Sequence, residues 1–176
     1  QELSDYRTKH GLEQGRTALF LGGIDERKGI PFLFEAAREV SLKLSDFRLL
    51  VGGKGSLEGE VNRAQRETDH IVYLGRVEGR DKALALAAAD LLVIPEWVGL
   101  VAVDSLAAQV PIVSTYHPSH SPEAEYLIHD TNSIFVEHDV PSYADAISGL
   151  LVNKLKLQRL SDSCNDANKL LSIESM

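Results

Sequence analysis

The sequence predicts an α/β domain built on a Rossmann-like, doubly wound parallel sheet of about six strands, with helices on both faces. Short apolar runs alternate with longer amphipathic runs along the whole chain, and this alternation favours parallel strands joined by right-handed helical crossovers. The apolar runs are nearly continuous, as in strands that are covered on both faces. A ligand site in such a sheet is expected at the carboxyl ends of its strands.

The first half of the chain contains three predicted strands and three predicted helices. Each strand is an apolar run closed by a glycine, as before a tight turn, at 17–21, 47–51 and 71–74. The helices are indicated by helical spacing of apolar residues, a partial capping signal and high Ala and Leu content, at 28–44, from Ser56 onward and at 81–89. Residues 1–15 are polar and lack periodicity, which predicts a linker.

The second half repeats this order. Apolar runs predict strands at 91–94, 112–115 and 134–136. Proline ends the first of these runs and precedes the second, and Pro122 suits the first turn of a helix. Amphipathic spacing predicts the remaining helices at 99–109, 122–128, 141–151 and 155–171.

Composition excludes several classes of protein. The 18 basic and 26 acidic residues leave a net charge of −8, which argues against tight binding to a nucleic-acid backbone. The apolar runs are too short for a transmembrane helix, and the first residues lack the features of a signal peptide. One cysteine, Cys164, rules out an intramolecular disulfide and favours a reducing, cytosolic compartment.

Three common catalytic motifs are absent from the sequence. No dinucleotide-binding Gly-x-Gly-x-x-Gly follows the first strand, and there is neither a P-loop nor a Gly-x-Ser-x-Gly elbow. A Rossmann-like fold is therefore expected without a nicotinamide cofactor, a P-loop phosphate site or a hydrolase nucleophile.

Two turns at the expected sheet edge have the features of anion-binding sites. Gly22 and Gly23 precede Lys28 and a helix, so that backbone amides and an ammonium group are available to a phosphate. The residues Gly99, Leu100 and Val101 start a second helix after the fourth strand. Each is also compatible with an ordinary helix start, but two together suit a diphosphate.

Carboxylates and histidines follow the same strands. Glu96 and Asp104 flank the second turn, and carboxylates suit sugar hydroxyls because they accept two hydrogen bonds. The alternative for Asp104 is a solvated helix face. His117, His120 and Glu123 have a spacing compatible with a metal, but a polar loop is the favoured interpretation, and no metal is expected.

On these residues, the chain resembles the C-terminal, donor-binding half of retaining GT-B glycosyltransferases of family 4 over residues 17–152. Six short segments resemble the family's motifs in the same order: Leu19-Phe20-Leu21-Gly22-Gly23 with Lys28-Gly29-Ile30, Leu50-Val51-Gly52-Gly53-Lys54-Gly55, Val72-Tyr73-Leu74-Gly75-Arg76-Val77, Ala89-Asp90-Leu91-Leu92-Val93-Ile94-Pro95, Glu96 with Asp104, and Pro111-Ile112-Val113-Ser114-Thr115. His120-Ser121-Pro122-Glu123 is similar to a segment found in one subgroup.

The resemblance implies transfer of a hexosyl-type group from a UDP- or GDP-linked sugar, with retention and with no further cofactor or obligatory metal. It assigns the diphosphate to Lys28 and to the amides of residues 99–101, and the ribose to Asp104. Glu96 would act beside it at the sugar, and the base would lie near Gly75 and Arg76. Residues 1–15 would then be the remnant of an interdomain linker and 16–176 the donor domain, with the N-terminal acceptor domain absent.

Two departures leave other functions open. Gly23 stands where the family has an arginine, with Arg27 as the neighbouring candidate for its role, and Asp104 replaces a glutamate. The alternatives are a sugar-nucleotide epimerase of GT-B architecture and a degenerate domain that serves as a nucleotide-binding or scaffolding unit.

Overall fold

The computed structural model describes residues 1–171 of the 176-residue chain. Six strands form its sheet: β1 (Thr17–Leu21), β2 (Arg48–Gly52), β3 (Ile71–Gly75), β4 (Leu91–Val93), β5 (Ile112–Thr115) and β6 (Ser133–Val136). They lie in the order β3-β2-β1-β4-β5-β6, and each neighbouring pair is parallel. The predicted parallel, Rossmann-like sheet is therefore confirmed.

Seven α-helices occur within the described part of the chain: α1 (Glu2–His10), α2 (Ile30–Lys43), α3 (Glu58–Glu67), α4 (Gly79–Ala88), α5 (Val101–Ala108), α6 (Val140–Val152) and α7 (Lys154–Leu171). Helix α2 packs against α6, α5 packs against α7, and α1 packs against α4. No described helix combines the length and the apolar character that crossing a bilayer requires.

The core lies along the central strands. Ala18, Leu19 and Phe20 of β1 are fully buried in succession, and Leu91 and Leu92 of β4 are buried as well. Consecutive side chains of a strand point to opposite faces, so both faces of the sheet are covered by helices. This explains why the strands read as continuous apolar runs instead of alternating apolar and polar residues.

The order of the strands places the loops after β1 and β4 next to each other at the carboxyl edge of the sheet. After β1, the chain adds β2 and β3 on one side, and it then crosses to β4 on the other side of β1. The carboxyl ends of β1 and β4 therefore flank the point where the direction of winding reverses. In open α/β sheets, ligands bind in the crevice at that point.

Two glycine-containing loops pack backbone to backbone beside this crevice. The amide of Gly22 donates to the carbonyl of Gly52 at 3.1 Å, and the amide of Ile24 donates to the carbonyl of Lys54 at 2.9 Å. A Cβ atom on Gly53 would lie 1.9 Å from the carbonyl oxygen of Gly22. The loops after β1 and β2 can approach this closely only because glycine stands at the contact.

Two segments differ from the sequence-based expectation. Residues 2–10 form helix α1, which ends at Gly11 in the left-handed conformation, with φ of 63°. Its few apolar residues, Leu3 and Tyr6, pack on the core, but they are too sparse to give a periodic signal. Whether residues 1–15 connect to another domain stays a prediction.

The predicted helix at 122–128 is instead a short 3₁₀ segment, Pro122–Tyr126. Its hydrogen bonds connect residues three apart, from Ala124 to Ser121 and from Leu127 to Ala124, at 3.0 Å each. Proline at its start favours a helical turn of either kind, so the sequence did not distinguish them. The other predicted helices are confirmed with ends shifted by a few residues.

Candidate functional site

A cavity of about 310 Å³ opens at the carboxyl ends of the first four strands, and we call it the edge cavity. The loops after β1, β2, β3 and β4 all contribute to its wall. It is lined by Leu21, Gly22, Lys28, Gly52, Gly53, Arg76, Val77, Glu78, Lys82, Gly99, Leu100, Val101 and Asp104. Its position at the reversal point of the sheet makes it the candidate binding site.

Lys28 connects the two turns that the sequence singled out. It ends a 3₁₀ segment, Glu26–Lys28, after β1, and its Nζ donates to the carbonyl of Trp97, 2.8 Å away in the loop after β4. Burial lowers the pKa of Lys28 from its ordinary value, while Asp25 acts in the opposite direction. A half-buried ammonium that points into a cavity is suited to bind an anion.

Two ion pairs lie on the wall opposite. Nζ of Lys82 is 2.7 Å from Oδ1 of Asp104, with each side chain about one third exposed. A guanidinium nitrogen of Arg76 is 2.5 Å from Oε1 of Glu78, and both side chains are largely exposed. The edge cavity therefore carries three cations and two carboxylates, and Lys28 is the cation that donates to a carbonyl instead.

The start of helix α5 also lines the edge cavity. Its first backbone hydrogen bonds are donated by Ala102 to Gly99, at 2.9 Å, and by Val103 to Leu100, at 3.0 Å. The amides of residues 99–101 precede this ladder, as the first amides of a helix do. They lie on the wall of the edge cavity, where they add positive potential.

The structure brings together most, but not all, of the predicted site residues. Gly22, Lys28, Arg76 and Asp104 line the edge cavity, as do residues 99–101. Of the described residues, Gly23 and Gly75 lie next to lining residues without lining the cavity themselves. A Cβ on Gly23 would meet the carboxylate of Asp25 at 2.9 Å, so an acidic side chain occupies the space beside it.

Glu96 lies apart from Asp104, although the sequence suggested that both face the crevice. Its Oε1 is 3.0 Å from Nε2 of His138, whose ring stacks on Phe32 with centroids 4.5 Å apart. A Cβ on Gly29 would lie 2.8 Å from the Glu96 carboxyl carbon, and Gly29 is left-handed, with φ of 62°. The carboxylate therefore covers the start of α2, and this helix does not contribute to the lining of the edge cavity within the described residues.

Arg27 does not replace the family's arginine in this structure. Its guanidinium lies 3.1 Å from Oδ2 of Asp25 and 5.0 Å from the centre of the Trp97 ring, with 65% of the side chain exposed. It is not among the described residues that line the edge cavity. The ion pair with Asp25, two residues earlier, holds it there, and sequence spacing alone could not reveal that direction.

The histidines and the glutamate after β5 are not brought together as one ligand set within the described residues. His120 uses both ring nitrogens on backbone groups of Val98 and Thr115, at 3.0 and 2.8 Å. Glu123 lies 2.5 Å from Oγ of Ser121. A different set, Glu96, His117 and His138, has potential ligand atoms within 4.8 Å of one another in the described residues.

Sequence reasoning missed two charged residues of the edge cavity, Glu78 and Lys82. Glu78 is the N-cap residue of helix α4, and Lys82 lies in its first turn. This helix follows β3 and therefore starts at the same edge of the sheet. A lysine or glutamate in the first turn of a helix that follows a strand is a usable signal. It is weak, because most such residues are solvated.

The comparison with known proteins identifies the class. Residues 15–153 match the family described as Glycosyl transferases group 1. The chain belongs to this family of glycosyltransferases. The parallel sheet, its reversal point and the glycine-rich loops agree with that assignment.

Among relatives, the chain is 38% identical over 106 residues to the phosphatidyl-myo-inositol mannosyltransferase of Mycobacterium leprae. The match covers 57% of this chain and 28% of the relative, so the chain accounts for only part of such an enzyme. The relative is named for the transfer of a mannosyl group.

Solved structures show the same fold at low identity. TarM of S. aureus, solved with UDP, superposes with a TM-score of 0.81 at 17% identity, over 93% of this chain and 34% of that one. The C-terminal domain of a group 1 glycosyl transferase from Francisella tularensis gives a TM-score of 0.75 at 19% identity, over 100% of this chain and 94% of that one. These likenesses confirm the fold.

Proposed function

We propose that the chain is the donor-binding domain of a retaining glycosyltransferase, which holds a UDP- or GDP-linked sugar for transfer to an acceptor. The observation that carries the proposal is the meeting of Lys28 and the start of α5 in one cavity at the reversal point of the sheet. Family membership supports it, as does the match along the whole chain to a solved C-terminal domain.

The diphosphate would lie between Lys28 and the amides of residues 99–101. Lys28 would exchange the Trp97 carbonyl for a phosphate oxygen, and the amides would donate to the other phosphate. Negative charge accumulates on the diphosphate as the glycosidic bond breaks, so donors fixed in advance at that place stabilise the transition state. No proton needs to move for this contribution.

Asp104 would accept hydrogen bonds from ribose hydroxyls. The carboxylate already faces the edge cavity and is held by Lys82, so its orientation is set before the ligand arrives. The backbone around Gly75 and Arg76 would contact the base. Glu96 would act at the sugar, which in this structure requires access from the side of His138.

The remaining roles belong to the same proposal. Retention and the lack of an obligatory metal follow from the family resemblance, as does an acceptor bound by a second, N-terminal domain. Cytosolic placement stays a prediction from the single cysteine, Cys164, whose thiol is buried and has its pKa raised to about 11 by that burial.

Calorimetric titration of the 176-residue chain with UDP and with GDP tests the proposal. We expect one of them to bind, and Lys28→Ala to weaken that binding about tenfold to a hundredfold, because a charge-assisted hydrogen bond contributes roughly 1.5–3 kcal/mol. Lys9→Ala removes the same charge from an exposed position on α1 and should leave the affinity unchanged.

Two outcomes would contradict this assignment. Equal affinity of the Lys28→Ala variant and the parent would remove Lys28 from the site. Binding of neither nucleotide would favour the degenerate, scaffolding alternative, for which the two ion pairs of the edge cavity offer a structural reason, since they already pair Arg76 and Lys82 with carboxylates.

A further inference from the structure

The turn that leads into helix α5 is held by a histidine from another loop. We propose that His120 is a positioning residue, whose neutral imidazole holds residues 96–99, the donor turn, in the shape that presents the amides of residues 99–101 to the edge cavity. The proposal rests on the proposed function for its ligand, and on hydrogen bonds alone for its geometry.

The contacts of His120 determine its tautomer. The amide of Val98 donates to Nδ1 at 3.0 Å, so Nδ1 carries no proton. The carbonyl of Thr115 lies 2.8 Å from Nε2, and a carbonyl only accepts, so Nε2 carries the proton. The neutral ring with its proton on Nε2 satisfies both partners, and neither the other tautomer nor the cation does.

The donor turn depends on side chains because it is irregular. Trp97 has a positive φ of 21°, which is rare for a residue with a side chain, and Val98 is fully buried. The amide of Ser121 donates to the carbonyl of Val98 at 3.0 Å, and Lys28 donates to that of Trp97. Without His120, the buried amide of Val98 would lose its acceptor, and the turn would relax to find another.

The groups around His120 favour the neutral ring. Burial lowers its pKa below the ordinary 6.5, the Thr115 carbonyl opposes this, and the electrostatic effects of His117 and Lys28 lower the pKa further. The edge of the Phe135 ring packs on it. Among the acidic groups nearby, Glu123 accepts a hydrogen bond from the hydroxyl of Ser121. Glu125 and His129 line, together with His120, a second cavity of about 770 Å³.

Protonation would place an N–H of the ring against the N–H of Val98. Because the folded pKa lies below 6.5, the contribution of His120 to stability is fully present above pH 6.5 and is lost as pH falls through the folded value. Nucleotide affinity should fall over the same range, as the donor turn loosens.

The first experiment needs no ligand. Imidazole nitrogen NMR on the 176-residue chain, labelled with ¹⁵N-histidine, should show His120 with a bare Nδ1 and a protonated Nε2 at pH 7.5. A proton on Nδ1, or a charged ring at that pH, would overturn the proposal whatever the chain binds.

The second experiment separates the two ring nitrogens with matched variants. Asparagine places an acceptor where Nδ1 lies, and glutamine places a donor where Nε2 lies. We expect His120→Asn to retain UDP or GDP affinity within about threefold of the parent, and His120→Gln to weaken it about tenfold. Between pH 7.5 and 5.5 the affinity of His120→Asn should also fall less than that of the parent, since protonation of the nucleotide's terminal phosphate affects both proteins alike.

The control is His129→Gln. His129 is exposed, and its Nδ1 accepts a hydrogen bond from the backbone amide of Phe135 at 3.0 Å. Its replacement therefore removes the same kind of hydrogen bond outside the donor turn and should leave nucleotide affinity unchanged. Equal affinity of His120→Gln and the parent would contradict the positioning role.

A failure of the proposed function can be distinguished from a failure of the positioning role of His120. If the parent binds neither UDP nor GDP, hydrogen exchange at the Val98 amide decides the inference instead. Exchange should be faster in His120→Gln than in His120→Asn and the parent, and equal rates in all three would overturn it.

Discussion

At the scale of single residues, the close contact between two loops sets the shape of the edge cavity. Gly22 and Gly53 belong to loops after different strands, and their backbones meet with no room for a side chain. The sequence marks both positions as glycine, but it does not show that they meet, because 30 residues lie between them. The reason for glycine at 53 is therefore tertiary.

Replacing Gly53 should be costly. In Gly53→Ala, the added Cβ would lie 1.9 Å from the Gly22 carbonyl oxygen, in a backbone conformation with φ of 149°. We expect the free energy of unfolding in urea to fall by more than about 2 kcal/mol, because backbone on both sides must move. The edge cavity should change shape with it.

Gly59→Ala is the matched control for this substitution. Gly59 lies in the first turn of α3, and an added Cβ there meets nothing within 4 Å. Alanine should leave stability unchanged or raise it by up to about 1 kcal/mol, since it favours a helix more than glycine does. Equal losses for the two variants would show that the loop contact is unimportant.

At the scale of elements, one carboxylate joins the beginnings of two strands. Oδ2 of Asp90, just before β4, accepts the amides of Gly15 and Thr17 at 2.9 Å each, at the start of β1. The same pair of strands borders the edge cavity at its other end. Asp90 therefore fixes the register of β4 beside β1 from the side opposite the site.

Ionisation of Asp90 opposes folding and makes stability depend on pH. Burial raises its pKa above the ordinary 3.8, and the hydrogen bonds from the two amides only partly offset this. The folded state then binds the proton more tightly than the unfolded state, so stability falls as pH rises from 3.8 through the folded value. Asp90→Asn should abolish that part of the pH dependence.

Urea unfolding of two Asp90 variants checks this. Asp90→Asn keeps an oxygen acceptor and should stay within about 1 kcal/mol of the parent at pH 7, whereas Asp90→Ala should lose about 1–3 kcal/mol, because the two amides lose their partner. An alanine variant as stable as the asparagine variant would contradict the anchoring role.

At the scale of the whole molecule, the edge cavity belongs to one edge of one sheet. Its described walls come from strand ends, loops and helix starts at that edge, and the chain spans 28% of the length of the mannosyltransferase to which it is similar. Under the proposed function, a second domain would bring the acceptor to this edge.

The chain alone should therefore bind a donor without transferring its sugar. Incubation of the 176-residue chain with radiolabelled UDP-glucose and GDP-mannose should release or transfer no label above the uncatalysed background, even where titration shows nucleotide binding. Transfer or hydrolysis by the chain alone would mean that the catalytic groups are all within it.

Local pattern was enough to predict the elements and their order. A strand covered on both faces must be continuously apolar, so the six strands could be read directly, as β1 and β5 were to the residue. The 3₁₀ geometry of Pro122–Tyr126 and the presence of helix α1 were not predicted. Their backbone conformations depend on a few hydrogen bonds and packing contacts and not on a periodic pattern.

The site was predictable only in part, for a physical reason. By itself, the sequence determined the fold class, the family resemblance and the types of residue that follow each strand, since these depend on neighbours in the chain. Only the tertiary structure decided that Asp104 pairs with Lys82 while Glu96 turns to His138, and that His120 holds the donor turn. The direction of a side chain and the groups that it contacts depend on residues far apart in sequence, and only the packed sheet brings those residues together.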